Sequence, residues 1–191
     1  MDKKTNIMFV THSRKKGGAE QSLIHLLNYI NMEKYNIFLL CPPGTDYLNE
    51  IRVHFTQLKH ELKSIKRSLG INYLKDVLLI KQYVREFNID IIHANGWRAP
   101  WYVAPLKYLT NAKVIWHHRD IMDSKLFNHF LPLPFDHIIC ISKSVKKTLR
   151  TDSRKVSVIY NGVNIDNRVM NMKNRLFKED AKTYSEIIKE E

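Results

Sequence analysis

Four consecutive residues, His117, His118, Arg119 and Asp120, follow the apolar run "KVIW" and concentrate the chemistry this sequence could perform. A histidine beside an aspartate can serve as a polarised base or hold a substrate hydroxyl. The plainer alternative is a solvated loop with a structural His–Asp pair. Other polar residues stand near the ends of further apolar runs: His12 and Ser13, then His93, Asn95 and Trp97, then Ser142. A second kind of chemistry lies in "THSRKKGGAE", where Arg14, Lys15 and Lys16 precede the adjacent glycines Gly17 and Gly18. Bare backbone between a strand and a helix lets a ligand come close, and the first N–H groups of the helix favour an anion. A tight turn with no ligand accounts for the glycines equally well.

Several familiar sites are excluded. A dinucleotide loop needs G-x-G-x-x-G and a carboxylate at the end of the second strand, whereas the loop reads "KKGGAE" and the second run ends in "CPPG". The phosphate loop G-x-x-x-x-G-K-[ST] is absent. No histidine pair or Cys–His cluster has the spacing of a zinc site, so no metal is expected. Cys41 and Cys140 lie inside apolar runs and read as buried thiols in a reducing compartment.

Bringing these residues together requires a particular order of elements. Strands are expected at Asn6–Thr11, Asn36–Cys41, Asp90–Ala94, Lys113–His117, His137–Ser142 and Val156–Tyr160, with a weaker one near "HELKSI". Several are apolar on successive residues, the mark of strands covered on both faces. Helices are expected at about Ala19–Asn31, Tyr47–Phe55, Ile71–Phe87, Ala99–Leu109 and Ser142–Leu149. The alternation reads as βαβ units in a single Rossmann-like, doubly wound, mostly parallel sheet with helices on both faces, an α/β fold. In such a sheet ligands bind beyond the carboxyl ends of the strands, where the polar residues above would converge.

The chain has 191 residues, 44% of them hydrophobic, enough for one sizeable core. Lys and Arg number 31 against 19 Asp and Glu, a formal +12. That balance suits phosphorylated small molecules, anionic lipid surfaces or nucleic acid. Nucleic acid rests on charge alone, since no reading motif accompanies it. No run reaches the roughly 18–20 apolar residues of a membrane span, and the N-terminus has no secretory pattern, so a cytoplasmic location is expected. After Asp166 the chain becomes strongly charged, with Leu176, Phe177, Tyr184, Ile187 and Ile188 at roughly helical spacing. A domain over residues 1–166 and a helix within 167–191 are expected.

Five blocks, "IMFVTHSRKKGGAEQSLIHLL", "DIIHANGWRAPW", "KVIWHHRDI", "FDHIICISKSVKKTL" and "KVSVIYNGVNID", resemble in order and spacing the N-terminal half of retaining glycosyltransferases of family 4. These GT-B enzymes move a sugar from a nucleotide-sugar donor to an acceptor. The resemblance implies an acceptor-binding half, with a hexose-type sugar passed to a glycan or lipid-linked acceptor of the cell-surface polysaccharide type. It implies that Gly17 and Gly18 lie against the donor phosphates, with Lys16, or Lys15 beside it, neutralising charge. His117, or less favourably His118, would contact the transferred sugar or acceptor, with Asp120 as its catalytic companion. The acceptor side would take in His12, Asn95, Trp97, His118, Arg119 and Ser142, and Asn161 and Gly162 would lead to an interdomain hinge. No cofactor beyond the donor is implied. The family's second domain supplies an Arg/Lys pair and an E-x7-E element, and Glu179 and Glu186 are one residue too close to be the latter. The chain is therefore expected to be inactive alone and to need a donor-binding domain, from the same gene or a separate chain. A cationic binding module that kept the fold without the chemistry is the alternative. Trp97 and Trp101 beside Arg98 and Lys107 suggest peripheral attachment to an anionic inner membrane face, with Tyr102 and Tyr108 packed on the sheet.

Overall fold

A computed structural model describes residues 3–64 and 70–162. Seven strands form one sheet in the order β3-β2-β1-β4-β5-β6-β7. They are β1 Thr5–Val10, β2 Tyr35–Cys41, β3 Thr56–Lys59, β4 Ile91–Asn95, β5 Lys113–His118, β6 His137–Cys140 and β7 Val156–Val158. Every pairing is parallel. The winding reverses between β1 and β4, the point at which doubly wound sheets take ligands beyond the carboxyl ends of their strands. The expected doubly wound α/β sheet is what forms. The third strand lies just before "HELKSI", at Thr56–Lys59.

Alternation along the strands sorts the core into two layers. Ile7, Phe9, Ile37 and Leu39 pack with Leu23, Ile24 and Leu27 of α1 (Gly18–Tyr29). On the opposite face Met8, Val10, Ile92, Val114 and Trp116 pack with Val77, Ile80 and Val84 of α2 (Ile71–Glu86) and with Tyr102 and Leu106. Both cysteines are buried free thiols. Burial of residues on both faces explains the unbroken apolar runs that mark these strands in the sequence.

Two expected helices come out differently. Ala99–Leu109 is split into α3 (Ala99–Val103) and α4 (Leu106–Leu109), with Pro105 capping the second. Proline has no N–H, so the carbonyl of Trp101 loses its helical donor. The Tyr73 hydroxyl donates to that carbonyl at 2.7 Å instead. Over Tyr47–Phe55 there is only one 3-10 turn, Leu48–Glu50. There the Asn28 side chain donates to Glu50 O at 2.9 Å and accepts from Arg52 N at 2.7 Å. Those bonds, with Tyr47 and Ile51 buried against α1, hold the segment as a loop. A π-helical turn at Leu126–Phe130, absent from the sequence expectations, brings Phe127 into the core beside Trp116. Helix α5 (Lys143–Thr148) starts one residue late because Ser142 is its cap, accepting from Val145 N at 3.1 Å.

By its contacts the chain divides into a compact unit ending at Asn161 and a second beginning at Gly162. The expected boundary at Asp166 and helix in 167–191 lie outside the described residues.

Candidate active site at the strand ends

The pairing of β4 with β5 sets Asn95 directly opposite His117 at the carboxyl edge. Arg119, two residues beyond His117, is the hub between them. Its Nε donates to Asn95 Oδ1 at 3.0 Å, one terminal nitrogen to Asn161 Oδ1 at 3.0 Å, and the other to His117 Nδ1 at 3.1 Å. Asn95 in turn reaches the Ala19 carbonyl at 3.4 Å, and Ser22 donates to Asn161 at 2.8 Å. The first turn of α1 is thereby tied to the ends of β4 and β5. Of the polar groups singled out in the sequence, this edge brings together Asn95, His117 and Arg119, with His93 beside them.

Arg119 is only 8% exposed. Its hydrogen-bond partners are neutral, and among the described residues it forms no ion pair with a carboxylate. Burial lowers its pKa to about 10, against the opposing pull of Glu20 and Asp120. The carboxylates of Glu20 and Asp120 act on this buried guanidinium without bonding it, so its N–H groups are left to neutral partners. His117, 7% exposed, is pushed down to about 2 by burial first and then by Arg119, His93 and His118, so it is neutral at physiological pH. Its Nε2 is buried without a partner.

The expected His–Asp arrangement is not formed. Asp120 makes no hydrogen bond to His117, whose ring partner is Arg119. Burial raises the Asp120 pKa, opposed by Arg119. His118, next in sequence, points to the other face of the sheet, as the pleat requires. There it is fully buried against Trp116 at 4.3 Å and Phe127 at 5.5 Å, with neither nitrogen bonded. His93, two residues before Asn95 on β4 and diagonal to His117 at 5.4 Å between ring centres, is held down to about 3 by burial and Arg119. It belongs to the same cluster although it was not among the residues assigned a role.

The glycine loop lies where the sequence placed it. Gly17 caps α1 and Gly18 is its first residue. Gly17 has φ −127° and ψ −169°, extended backbone open to any residue. Its N–H is already taken by the Glu20 carboxylate at 3.1 Å. A side chain at Gly18 would meet no protein atom within 4 Å, so neither conformation nor packing demands glycine there. The cations divide unequally. Arg14 pairs with Glu61 and Lys16 with Glu50, each at 2.6 Å. Lys16 is thus engaged, and Lys15 is the exposed cation of the loop without a charged partner among the described residues. The loop is braced by the Tyr47 hydroxyl on Ser13 O at 3.2 Å and Asp46 N on Arg14 O at 2.9 Å.

The remaining residues frame the edge. His12 meets Trp97 edge to face at 5.5 Å, and burial with the nearby Arg98 lowers it to about 4. Gly96 between the strand and Trp97 has φ +80°, a turn that suits glycine. Its carbonyl accepts from the Trp116 indole at 2.9 Å. The Ser142 oxygen is spent on capping α5. Asn161, expected at a hinge, is part of the Arg119 network, while Gly162 starts the second unit. Trp97 and Trp101 are half-buried against the core. Tyr102 packs on the sheet as expected, but Tyr108 is 75% exposed. Among the described residues no three His, Cys, Asp or Glu side chains gather as metal ligands, and no helix is long and apolar enough to cross a membrane.

The sheet order defines a Rossmann-like α/β domain, and sequence comparison identifies the family. The chain belongs to Glycosyltransferase Family 4, whose model matches residues 16–167. No curated protein matches it in sequence. Among solved structures it is similar to a glycosyltransferase from Rickettsia africae ESF-5, with TM-score 0.66 and 21% identity over 90% of this chain and 49% of that one. It is similar to the apo form of the lipopolysaccharide outer core galactosyltransferase WaaB, with TM-score 0.65 and 19% identity over 85% and 47%. It also resembles Anabaena HepE in complex with UDP-glucose, with TM-score 0.60 and 19% identity over 90% and 49%. The likeness at these identities is one of fold, and the chain spans about half the length of these structures.

Proposed function

We propose that the chain is the acceptor-binding half of a retaining glycosyltransferase. The completed enzyme would move a hexose-type sugar from a nucleotide-sugar donor to a glycan or lipid-linked acceptor. In that transfer the bond from the anomeric carbon to the diphosphate breaks, a bond to the acceptor oxygen forms, and the acceptor hydroxyl gives up its proton. The observation that carries the reading is a buried guanidinium at Arg119 that bonds no carboxylate, on the same edge as a helix start whose Gly18 leaves open space. Negative charge on a leaving diphosphate is what such an edge favours. Lys15, rather than Lys16, is the loop cation free to approach it. The names of similar structures support the substrate class: one is a galactosyltransferase and another binds UDP-glucose.

Catalysis also needs the donor held in place, and this half supplies one wall of the cleft. The purified 191-residue chain is expected to release no nucleotide from UDP-, GDP- or dTDP-sugars. Extended with any downstream coding sequence, it is expected to hydrolyse at least one of them slowly and to transfer when acceptor is added. Turnover by the chain alone would overturn the half-enzyme reading. An extended protein that binds a nucleotide sugar without consuming it would favour the non-catalytic binding module.

A further inference from the structure

The partners of His117 determine more than its charge. A guanidinium carries only donors, so the 3.1 Å contact between Arg119 and His117 Nδ1 requires that Nδ1 accept. A neutral imidazole then bears its proton on Nε2, the nitrogen that is buried without a partner. The guanidinium is itself fixed from two other sides, by Asn95 Oδ1 and Asn161 Oδ1, each at 3.0 Å. The end of β4 and the segment after β7 thus fix the guanidinium that the turn after β5 presents to His117 Nδ1.

We infer that Arg119 is a positioning residue that holds His117 as its Nε2–H tautomer, so that Nε2 can serve only as a hydrogen-bond donor and not as a base. The identity of the oxygen it donates to rests on the glycosyltransferase reading; the tautomer rests on the geometry alone. A donor at this place fits a sugar hydroxyl or ring oxygen acting as acceptor, and it leaves deprotonation of the acceptor to another group. The charged and titratable groups acting on the ring are Arg119, His93 on β4 and His118 on the opposite face.

Long-range 1H–15N correlation of the imidazoles in the intact 191-residue chain tests this without any turnover, with His117→Gln assigning the signals. The expected wild-type spectrum shows His117 with a protonated Nε2 and an unprotonated Nδ1, unchanged between about pH 8 and pH 5. Arg119→Met should convert it to a mixture of tautomers and raise its protonation midpoint. His118, which has no polar partner, should keep its own signals and serve as the control for fold. Asn161→Ala frees one arm of the guanidinium at an exposed position and should give the same change at smaller size. A proton found on Nδ1 in the wild type overturns the inference. So does an unchanged His117 pattern in both variants, or in Asn161→Ala alone should Arg119→Met not fold.

Discussion

His117 and His118 are neighbours in sequence and belong to different parts of the molecule. The first lies on the α1 face, with one ring nitrogen held by a guanidinium and the other vacant. The second lies in an aromatic cage of Trp116 and Phe127, where neither nitrogen finds a partner. Both are buried and both have depressed pKa values, so burial and pKa do not tell a working residue from a structural one. What separates them is whether the surrounding polar groups converge on the ring. At His117 they do, through Arg119 and Asn95. At His118 the surroundings are apolar, and its imidazole is an imperfectly matched core side chain.

The contrast can be broken most severely from the apolar side. Trp116→Ala should cost about 3–5 kcal/mol, because it empties the centre of the cage and removes the indole bond to Gly96 that shapes the turn after Asn95. A denaturant titration measures it, and a loss under about 1 kcal/mol would mean the cage is not part of the core.

Acid sharpens the comparison next. Burial lowers the His118 pKa from 6.5 to about 4. Between those values the unfolded chain binds the extra proton and the folded chain does not. Stability is therefore complete above about pH 6.5 and declines as pH falls toward 4, by about 3 kcal/mol from this residue. His118→Leu should remove that share of the decline, leaving the part due to His12, His93 and His117, and should add about 1 kcal/mol at neutral pH, since it removes two unbonded polar atoms from the core. His117→Leu should do the opposite at neutral pH, costing about 1–3 kcal/mol because a buried Arg119 N–H loses its acceptor. Urea midpoints measured at several pH values distinguish the two, and equal responses would erase the distinction drawn here.

On the polar side, Gly18→Ala should change stability by no more than about 0.5 kcal/mol, because the added Cβ meets no atom of the chain. In the extended enzyme the same substitution should reduce donor turnover. A large stability loss would mean that glycine serves packing and not ligand approach. The smallest expected effect concerns the surface. Ile71, Leu74, Leu78, Tyr108, Leu126 and Phe130 are exposed on a chain of net charge +12, and Trp97 and Trp101 are not the main exposed aromatics. Weak flotation with anionic vesicles that fades as salt rises is expected, with none on neutral vesicles. Equal partitioning to both kinds would remove charge from the explanation.

The parallel sheet was legible in the sequence because strands covered on both faces must be apolar on successive residues, and β1, β2, β4 and β5 are. The glycine loop was legible because it falls between a strong strand and a strong amphipathic helix. Glu20 carried a readable signal too, three residues after Gly17 at the spacing of a capping box. The split of the Ala99–Leu109 helix was half-visible in Pro105, but its consequence, a carbonyl satisfied by Tyr73, needed α2 beside it. The site itself was decided by tertiary structure. The string "HHRD" offers a histidine, a cation and a carboxylate within reach of one another, and sequence spacing favours the neutralising His–Asp pair. The pleat instead turns His117 and His118 to opposite faces. Register then sets Asn95 beside His117, and the chain after β7 returns with Asn161. Which of those groups Arg119 bonds depends on three distant segments meeting at one edge, and only packing brings them there.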